Sequence, residues 1–110
     1  MLFRSWGGNA NGQVGDGTTS QRTSPVQIGA SKVWQQVATS GFSNYPDDAH
    51  ACAVASSGTT GSLWCWGGND VGQLGIGSTT QALTPTQVGT SIGWGSVAVA
   101  DAQTLALRAG

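Results

Sequence analysis

Apolar and polar residues alternate along several short stretches of the chain, and a period of two is typical of β-strands. In Ala49–Ala55, three alanines would share one face of a strand and the larger Cys and Val the other. Val33–Thr39 places Val, Trp and Val around a polar pair, and Leu63–Trp66 ends in Gly-Gly-Asn. Pro25–Ile28 begins with proline, which cannot donate to a ladder and therefore suits an edge strand. The pattern predicts four short strands.

The pattern occurs twice along the chain. Residues 6–38 align without gaps with residues 66–98, and just over half of the aligned positions are identical. His50–Val54 then matches Gln103–Leu107 after a shift, because the first copy carries an insertion within residues 39–49. We therefore treat residues 1–110 as one repeat region. Four-stranded units of this length, repeated along a chain, predict an all-β protein built from β-propeller blades, two per chain.

The composition agrees with short strands and tight turns. The chain has 18 Gly and 5 Trp, and only 8% of its residues are charged. Its net charge of −1 lacks the basic footprint of a nucleic-acid or anionic-membrane binder. No apolar run approaches the ~20 residues that span a bilayer, and the N-terminus shows no signal-peptide core. We expect neither a nucleic-acid nor a membrane partner.

The repeated motif resembles a known family. The run LWCWGGNDVGQLGIGSTT, followed by TPTQVG and a Trp-containing strand, is similar to the regulator-of-chromosome-condensation repeat, as is FRSWGGNANGQVGDGTT in the first copy. Two features depart from the family pattern: the insertion at 39–49, and Gln103 where the family usually has His. A closed propeller resembling this family has about seven blades, whereas this chain supplies two repeats.

The predicted blades leave a strand without a partner at each end of the chain. Leu2–Trp6 and Gln103–Leu107 correspond to two strands that would pair at the junction of the copies. Pairing one chain's last strand with the next chain's first strand would satisfy both edges. We therefore expect a ring closed by oligomerisation, as a trimer or tetramer, or a chain that is part of a longer propeller.

The repeated glycines and tryptophans have structural explanations. Glycines such as Gly15 and Gly75 follow a Trp-ended strand at fixed intervals and suit turns with positive φ. A phosphate cradle is the alternative, but it needs a following helix, and no helical period is present. Gln13 and Gln73 are expected to satisfy loop backbone groups. The tryptophans that repeat with the unit are expected to pack between blades: Trp6, Trp34, Trp66 and Trp94.

The two cysteines are predicted to face each other across a hairpin. A two-residue turn at Gly58-Thr59 would place Cys52 opposite Cys65, and the equivalent positions of the repeat hold Leu105 and Ser5. We favour a cross-strand disulfide over two free thiols. A disulfide predicts an oxidising compartment: an extracytoplasmic, secreted or virion-surface protein. A catalytic pair of Cys52 with His50 is the alternative, although no third orienting group is evident.

No constellation of residues indicates an active site, a cofactor site or a metal site. The carboxylates are few and scattered, and no Ser-His-Asp or zinc pattern occurs. The insertion is the best candidate for binding, because loops that interrupt a repeat commonly carry function. Its candidate binding residues are Phe42, Asn44, Tyr45, Asp47 and Asp48.

These observations favour a non-catalytic propeller module for protein–protein interaction or structural assembly, with no cofactor. The alternative is a carbohydrate-binding, lectin-like propeller, because a chain rich in Trp and polar loops could stack on sugars. Hydrolysis is disfavoured, because it normally needs two carboxylates ~5–10 Å apart.

Overall fold

The computed structural model describes residues 2–40, 49–57 and 60–108 of the 110-residue chain. The described residues form strands, turns and loops, with no α-helix among them. The eight strands are β1 (Arg4–Gly7), β2 (Arg22–Gln27), β3 (Val33–Thr39), β4 (His50–Ser57), β5 (Thr60–Gly67), β6 (Ala82–Gln87), β7 (Trp94–Ala100) and β8 (Gln103–Arg108).

The strands form three antiparallel sheets. Sheet A contains β1 and β2, sheet B contains β3, β4, β5 and β6 in that order, and sheet C contains β7 and β8. All the strands are present, but their grouping differs from the expected pair of four-stranded blades. Pro25–Ile28 does not share a sheet with Val33–Thr39, because β2 pairs with β1 instead. One complete blade therefore lies between two half-blades.

The registers confirm the equivalence of the two copies. In sheet B, Val37 pairs with Ala53, and in sheet C, Val97 pairs with Ala106. The same equivalence relates β1–β2 to β5–β6, since Arg4 pairs with Gln27 and Trp64 with Gln87. Sheet A thus corresponds to the second half of a blade and sheet C to the first half. A residue in one copy can therefore be compared directly with its counterpart in the other.

Sheet B is packed on both faces. Alternation along β4 and β5 sends Ala51, Ala53, Ala55 and Trp66 to one face, where they cluster with Trp34 and with Phe3 from the segment before β1. The other face carries Cys52, Val54, Leu63 and Cys65, which pack with Leu74 and with Val97 of sheet C. The predicted alternation in β4 is confirmed. The alanines of β4 leave room on their face of the sheet for Trp34 and Trp66.

Two glycine-rich loops each connect two neighbouring strands of one sheet. Residues 8–21 connect β1 to β2, and residues 68–81 connect β5 to β6. Each loop turns through glycines with positive φ, such as Gly15 (φ 86°) and Gly75 (φ 70°). Such backbone angles strain any residue with a Cβ atom, which explains the fixed glycine spacing.

Candidate functional site

The β4–β5 hairpin pairs in the predicted register. Val54 lies opposite Leu63 and Cys52 opposite Cys65, and the pairing continues as far as Ser57 and Thr60. The two cysteines form a disulfide with an S–S distance of 2.08 Å, and both are fully buried. Because both sulfurs are bonded, neither is a thiolate nucleophile for a catalytic Cys–His pair.

His50 lies at the start of β4 and contacts sheet C. Its ring is buried, and Nε2 lies 2.9 Å from the hydroxyl oxygen of Thr104. That hydroxyl in turn donates to the carbonyl oxygen of Gln73, 2.7 Å away. A chain of polar contacts therefore joins β4, the loop 68–81 and β8, which is a structural role for this histidine.

An asparagine organises each glycine-rich loop from within. Asn9 accepts a hydrogen bond from the backbone N–H of Val14 and donates to the carbonyl oxygens of Thr18 and Ser20, each at 2.9 Å. Asn69 makes the equivalent bonds to Leu74, Ser78 and Thr80. Both copies carry asparagine at this position of the repeated motif, a signal that marks the residue without revealing the loop that it organises.

The glutamines of these loops act as expected. The side-chain oxygen of Gln13 accepts from the backbone N–H of Asn11 at 2.9 Å, and that of Gln73 accepts from Val71 at 3.1 Å. In the first loop, a Cβ atom on Gly15 would lie 2.7 Å from the indole nitrogen of Trp66. Gly15 thus permits close packing of protein on protein, which argues against the alternative of a phosphate cradle in this loop.

The repeated tryptophans differ in their surroundings. Trp34 and Trp66 are buried between sheets A and B, where Phe3 lies 5.2 Å and 5.9 Å from their rings, centroid to centroid. Trp94 is partly buried, and its Nε1 has no hydrogen-bond partner among the described residues. Trp6 is 60% exposed, so the expectation that it packs between blades is wrong for a single chain. The described residues include no sheet against its face of β1.

One charged network distinguishes the first loop from the second. Asp16 accepts hydrogen bonds from the backbone N–H and the hydroxyl of Thr18, and it forms an ion pair with Arg22. The Thr18 hydroxyl and the nearby Arg22 guanidinium together lower the pKa of Asp16 to about 2. In the second copy, Ile76 stands at the position of Asp16 and Ala82 at the position of Arg22. The second loop therefore lacks both members of the ion pair.

A shallow cavity surrounds Trp64, on the face of sheet B that is directed toward sheet A. The ammonium of Lys32 lies 4.1 Å from the centre of the Trp64 ring, and the indole N–H donates to the hydroxyl of Ser62 at 2.8 Å. The cavity has a volume of about 400 Å³ and is also lined by the hydroxyl-bearing Ser31 and Ser56.

The candidate binding residues Phe42, Asn44, Tyr45, Asp47 and Asp48 lie outside the described residues. The residues that flank them are held together. The backbone N–H of Ser40 donates to the carbonyl oxygen of His50, and the N–H of His50 donates to the hydroxyl of Ser40, both at 3.0 Å. The insertion therefore leaves and re-enters the sheet at one end of the β3–β4 pair. In the second copy, Asp101 and Ala102 alone connect β7 to β8.

Metal-ligating side chains are dispersed. Within residues 2–40, 49–57 and 60–108, no three of His, Cys, Asp and Glu come together as a metal site would require. The same residues contain no helix long and apolar enough to cross a membrane.

Comparison with known proteins agrees with the repeat and the sheets. The sequence profile of the Regulator of chromosome condensation (RCC1) repeat matches twice, over residues 5–44 and 60–107. Ultraviolet-B receptor UVR8 of Arabidopsis thaliana is 33% identical over 84 residues, which is 76% of this chain and 18% of that relative. The chain thus spans less than a fifth of the relative's length. The family resemblance is confirmed: the chain belongs to the RCC1-repeat family, and its antiparallel sheets are β-propeller blades.

Proposed function

We propose that the chain is a non-catalytic propeller module that binds other proteins, with the insertion at residues 39–49 as its recognition element. The observation that carries this proposal is the difference between equivalent connections. The β3–β4 connection is long and has its ends clamped by Ser40 and His50, whereas the β7–β8 connection has two residues. A long segment on a rigid base is a common arrangement for binding.

Two further features support a protein partner. The insertion contains Phe42 and Tyr45, and aromatic side chains supply much of the energy of protein interfaces. The relative named above is called a receptor, which agrees with a binding role. The Cys52–Cys65 disulfide supports a location in an oxidising compartment, because disulfides persist there and are rare in the cytosol.

The test is to identify a partner by cross-linking in extract of the source organism, purify it, and measure its binding to the chain by calorimetry. Phe42→Ala combined with Tyr45→Ala should weaken binding by at least fivefold, which corresponds to about 1 kcal/mol. The thermal unfolding midpoint should stay unchanged, because the second copy forms its β7–β8 pair without this segment. Gln35→Ala, on an exposed position of β3, is the control. Unchanged affinity for the double variant would refute the recognition role.

A carbohydrate-binding function is the second candidate, and the cavity at Trp64 favours it. An indole face beside the hydroxyls of Ser31, Ser56 and Ser62 has the chemistry on which sugars stack and form hydrogen bonds. A glycan array probed with the chain and with Trp64→Ala tests this candidate. Signals that are lost in the variant would favour it over the protein-binding proposal, and a blank array would remove it.

A further inference from the structure

Two side chains at the cavity beside Trp64 depart from the internal repeat. The position equivalent to Trp64 holds Arg4, and the position equivalent to Lys32 holds Ile92. Trp34, by contrast, belongs to the repeated motif and is buried between the sheets. The strands of a blade thus form with other residues at the positions of Trp64 and Lys32, so the repeat itself does not account for the contact between them.

The backbone that carries Lys32 is anchored to sheet B. The indole N–H of Trp34 donates to the carbonyl oxygens of Ile28 and Gly29, at 3.1 Å and 3.2 Å. The backbone N–H of Lys32 then donates to the Gly29 carbonyl oxygen at 2.9 Å. In the second copy, the indole nitrogen of Trp94 has no hydrogen-bond partner among the described residues, so the equivalent connection lacks this anchor. The first copy therefore holds the lysine at a fixed place beside Trp64.

Lys32 is a cation without a carboxylate partner in the part of the chain that the structure describes. It is partly buried, and its ammonium lies 4.1 Å from the centre of the Trp64 ring. The one ion pair within residues 2–40, 49–57 and 60–108 joins Arg22 to Asp16 instead. An ammonium has three N–H donors, and an aromatic face does not replace the acceptor that an anion supplies. An anionic group of a ligand would therefore complete the surroundings of Lys32.

Hydroxyl groups line the same cavity. The Ser62 hydroxyl oxygen accepts from the Trp64 indole N–H at 2.8 Å, so its own hydrogen is available for a ligand. Ser31 is exposed, and its side chain makes no hydrogen bond within the described residues. The volume of about 400 Å³ falls in the range of small-molecule sites, roughly 300–1,000 Å³. The cavity thus combines one cation, one indole and two available hydroxyls in a space large enough for a sugar.

The position of Lys32 stays accessible where a complete blade precedes it. Ser91 and Ile92, the counterparts of Ser31 and Lys32, lie in the connection between β6 and β7. Sheet C packs there against sheet B with all its four strands, and both residues are nevertheless exposed, Ile92 by 51%. The accessibility of Lys32 therefore does not depend on sheet A having only two strands.

We propose that the cavity at Trp64 binds an acidic sugar, a saccharide unit that carries one carboxylate or one sulfate group. This inference deepens the carbohydrate-binding candidate and rests on it. The acid group pairs with the ammonium of Lys32, and the sugar ring packs against the exposed part of the Trp64 indole. The sugar hydroxyls exchange hydrogen bonds with Ser31 and Ser62. A single ammonium matches a single negative charge, which favours these acids over a phosphate monoester with a charge of about −1.5 to −2.

The test titrates glucuronate, glucose and acetate into the chain and follows the indole N–H signals by NMR. The Trp64 signal is identified as the one that disappears in Trp64→Phe. Glucuronate should shift it with a dissociation constant in the millimolar range, as expected for a ligand with so few atoms. Glucose lacks the acid and acetate lacks the ring, so each should bind roughly fivefold more weakly or worse. Glucose 6-sulfate in a parallel titration distinguishes the two acid groups, and binding of either acidic sugar supports the inference.

Lys32→Gln removes the charge and keeps a side chain of similar length. It should weaken glucuronate binding by roughly fivefold or more and leave the affinity for glucose unchanged. Arg4→Gln is the matched control, because Arg4 carries the same charge, is exposed and does not line the cavity. Added salt should weaken glucuronate binding to wild type but have little effect on Lys32→Gln. Far-ultraviolet circular dichroism shows whether each variant is folded.

The outcomes separate this inference from the candidate on which it rests. Equal affinities for glucuronate and glucose overturn the acidic-sugar inference and leave the carbohydrate-binding candidate in place. A Trp64 signal that none of the sugars shifts removes both. Acetate that binds as tightly as glucuronate overturns the role of the sugar ring, and an equal loss in Arg4→Gln overturns the role of Lys32. Lys32→Gln leaves residues 41–48 unchanged, so binding of a protein partner tests the first proposal separately.

Discussion

The side-chain amide of Gln36 and the backbone of Val97 exchange two hydrogen bonds between neighbouring sheets. Gln36 Nε2 donates to the Val97 carbonyl oxygen, and the Val97 N–H donates to Gln36 Oε1, both at 3.0 Å. At this contact between two blades, the Gln36 side chain makes the hydrogen bonds to the Val97 backbone that a neighbouring strand would otherwise make. Val97 itself is buried, so water does not replace these bonds readily.

Replacing Gln36 by Ala should destabilise the chain by about 2–6 kcal/mol, because two buried backbone groups lose their partners at roughly 1–3 kcal/mol each. Gln35→Ala is the control, since Gln35 is exposed on the same strand and should change stability by less than about 0.5 kcal/mol. Urea unfolding of the two variants and of wild type measures both changes in the free energy of unfolding. Equal stability of the two variants would contradict this account of the junction.

Breaking the Cys52–Cys65 disulfide should lower the free energy of unfolding by about 3 kcal/mol according to the loop-entropy model, since the cysteines are 13 residues apart. The equivalent positions of the repeat supply a natural replacement, Leu105 and Ser5. Cys52→Leu with Cys65→Ser should therefore fold, but unfold at lower urea concentration. Its stability should not respond to reductant, whereas that of wild type should. Two alkylatable thiols in freshly isolated wild type would show that the bond is absent in solution.

Gly12 and Gly72 form a matched pair for measuring contact between a loop and the next blade. Both have φ of 80°, but a Cβ atom at Gly12 would overlap the side chain of Leu83, whereas one at Gly72 meets nothing within 4 Å. Alanine at either position incurs the backbone strain of about 1–2 kcal/mol. Gly12→Ala should lose about 1–3 kcal/mol more than Gly72→Ala, because it also overpacks the junction. Thermal unfolding of the two variants gives the difference directly.

Stability should fall in acid through Asp16. Its pKa is lowered to about 2 in the folded chain, against 3.8 as the ordinary value, so the folded state favours the charged form. The stabilisation that comes from ionised Asp16 is fully present above about pH 4 and is lost as the pH falls toward 2. Asp16→Asn should flatten this part of the stability–pH curve, which urea unfolding between pH 2 and 6 would record. An unchanged slope in the variant would assign the acid sensitivity to other groups.

The sequence predicted those features that depend on local pattern and on repetition. The predicted two-residue turn fixes which residues of β4 and β5 oppose each other, so Cys52 could be paired with Cys65 from the sequence alone. Alternation of small and large side chains gave the two faces of β4. The bounds of β2 were less predictable: it begins at Arg22 rather than at Pro25. Its first residue, Arg22, pairs with Gly7 of β1, and this pairing extends the strand before Pro25.

The grouping of strands and the surroundings of equivalent residues could not be predicted in the same way. The repeat shows that Trp6 and Trp66 are equivalent, but burial depends on which sheet lies opposite each of them. The loop asparagines illustrate the same limit. Asn9 and Asn69 each bind backbone groups as far as 11 residues away along the chain, a relation that follows from the path of the loop. No local pattern in the sequence encodes that path.

The packing of each glycine-rich loop on the following blade has a kinetic consequence. Loop 8–21 reaches sheet B through Gly17, whose N–H donates to the Leu83 carbonyl oxygen, and loop 68–81 reaches sheet C through Gln73 and Thr104. Each sheet therefore draws part of its stability from its neighbour, as in other linear repeat proteins. Amide protons of β4, which is flanked on all sides, should exchange with solvent most slowly. The disulfide-bonded hairpin of β4 and β5 should therefore open last.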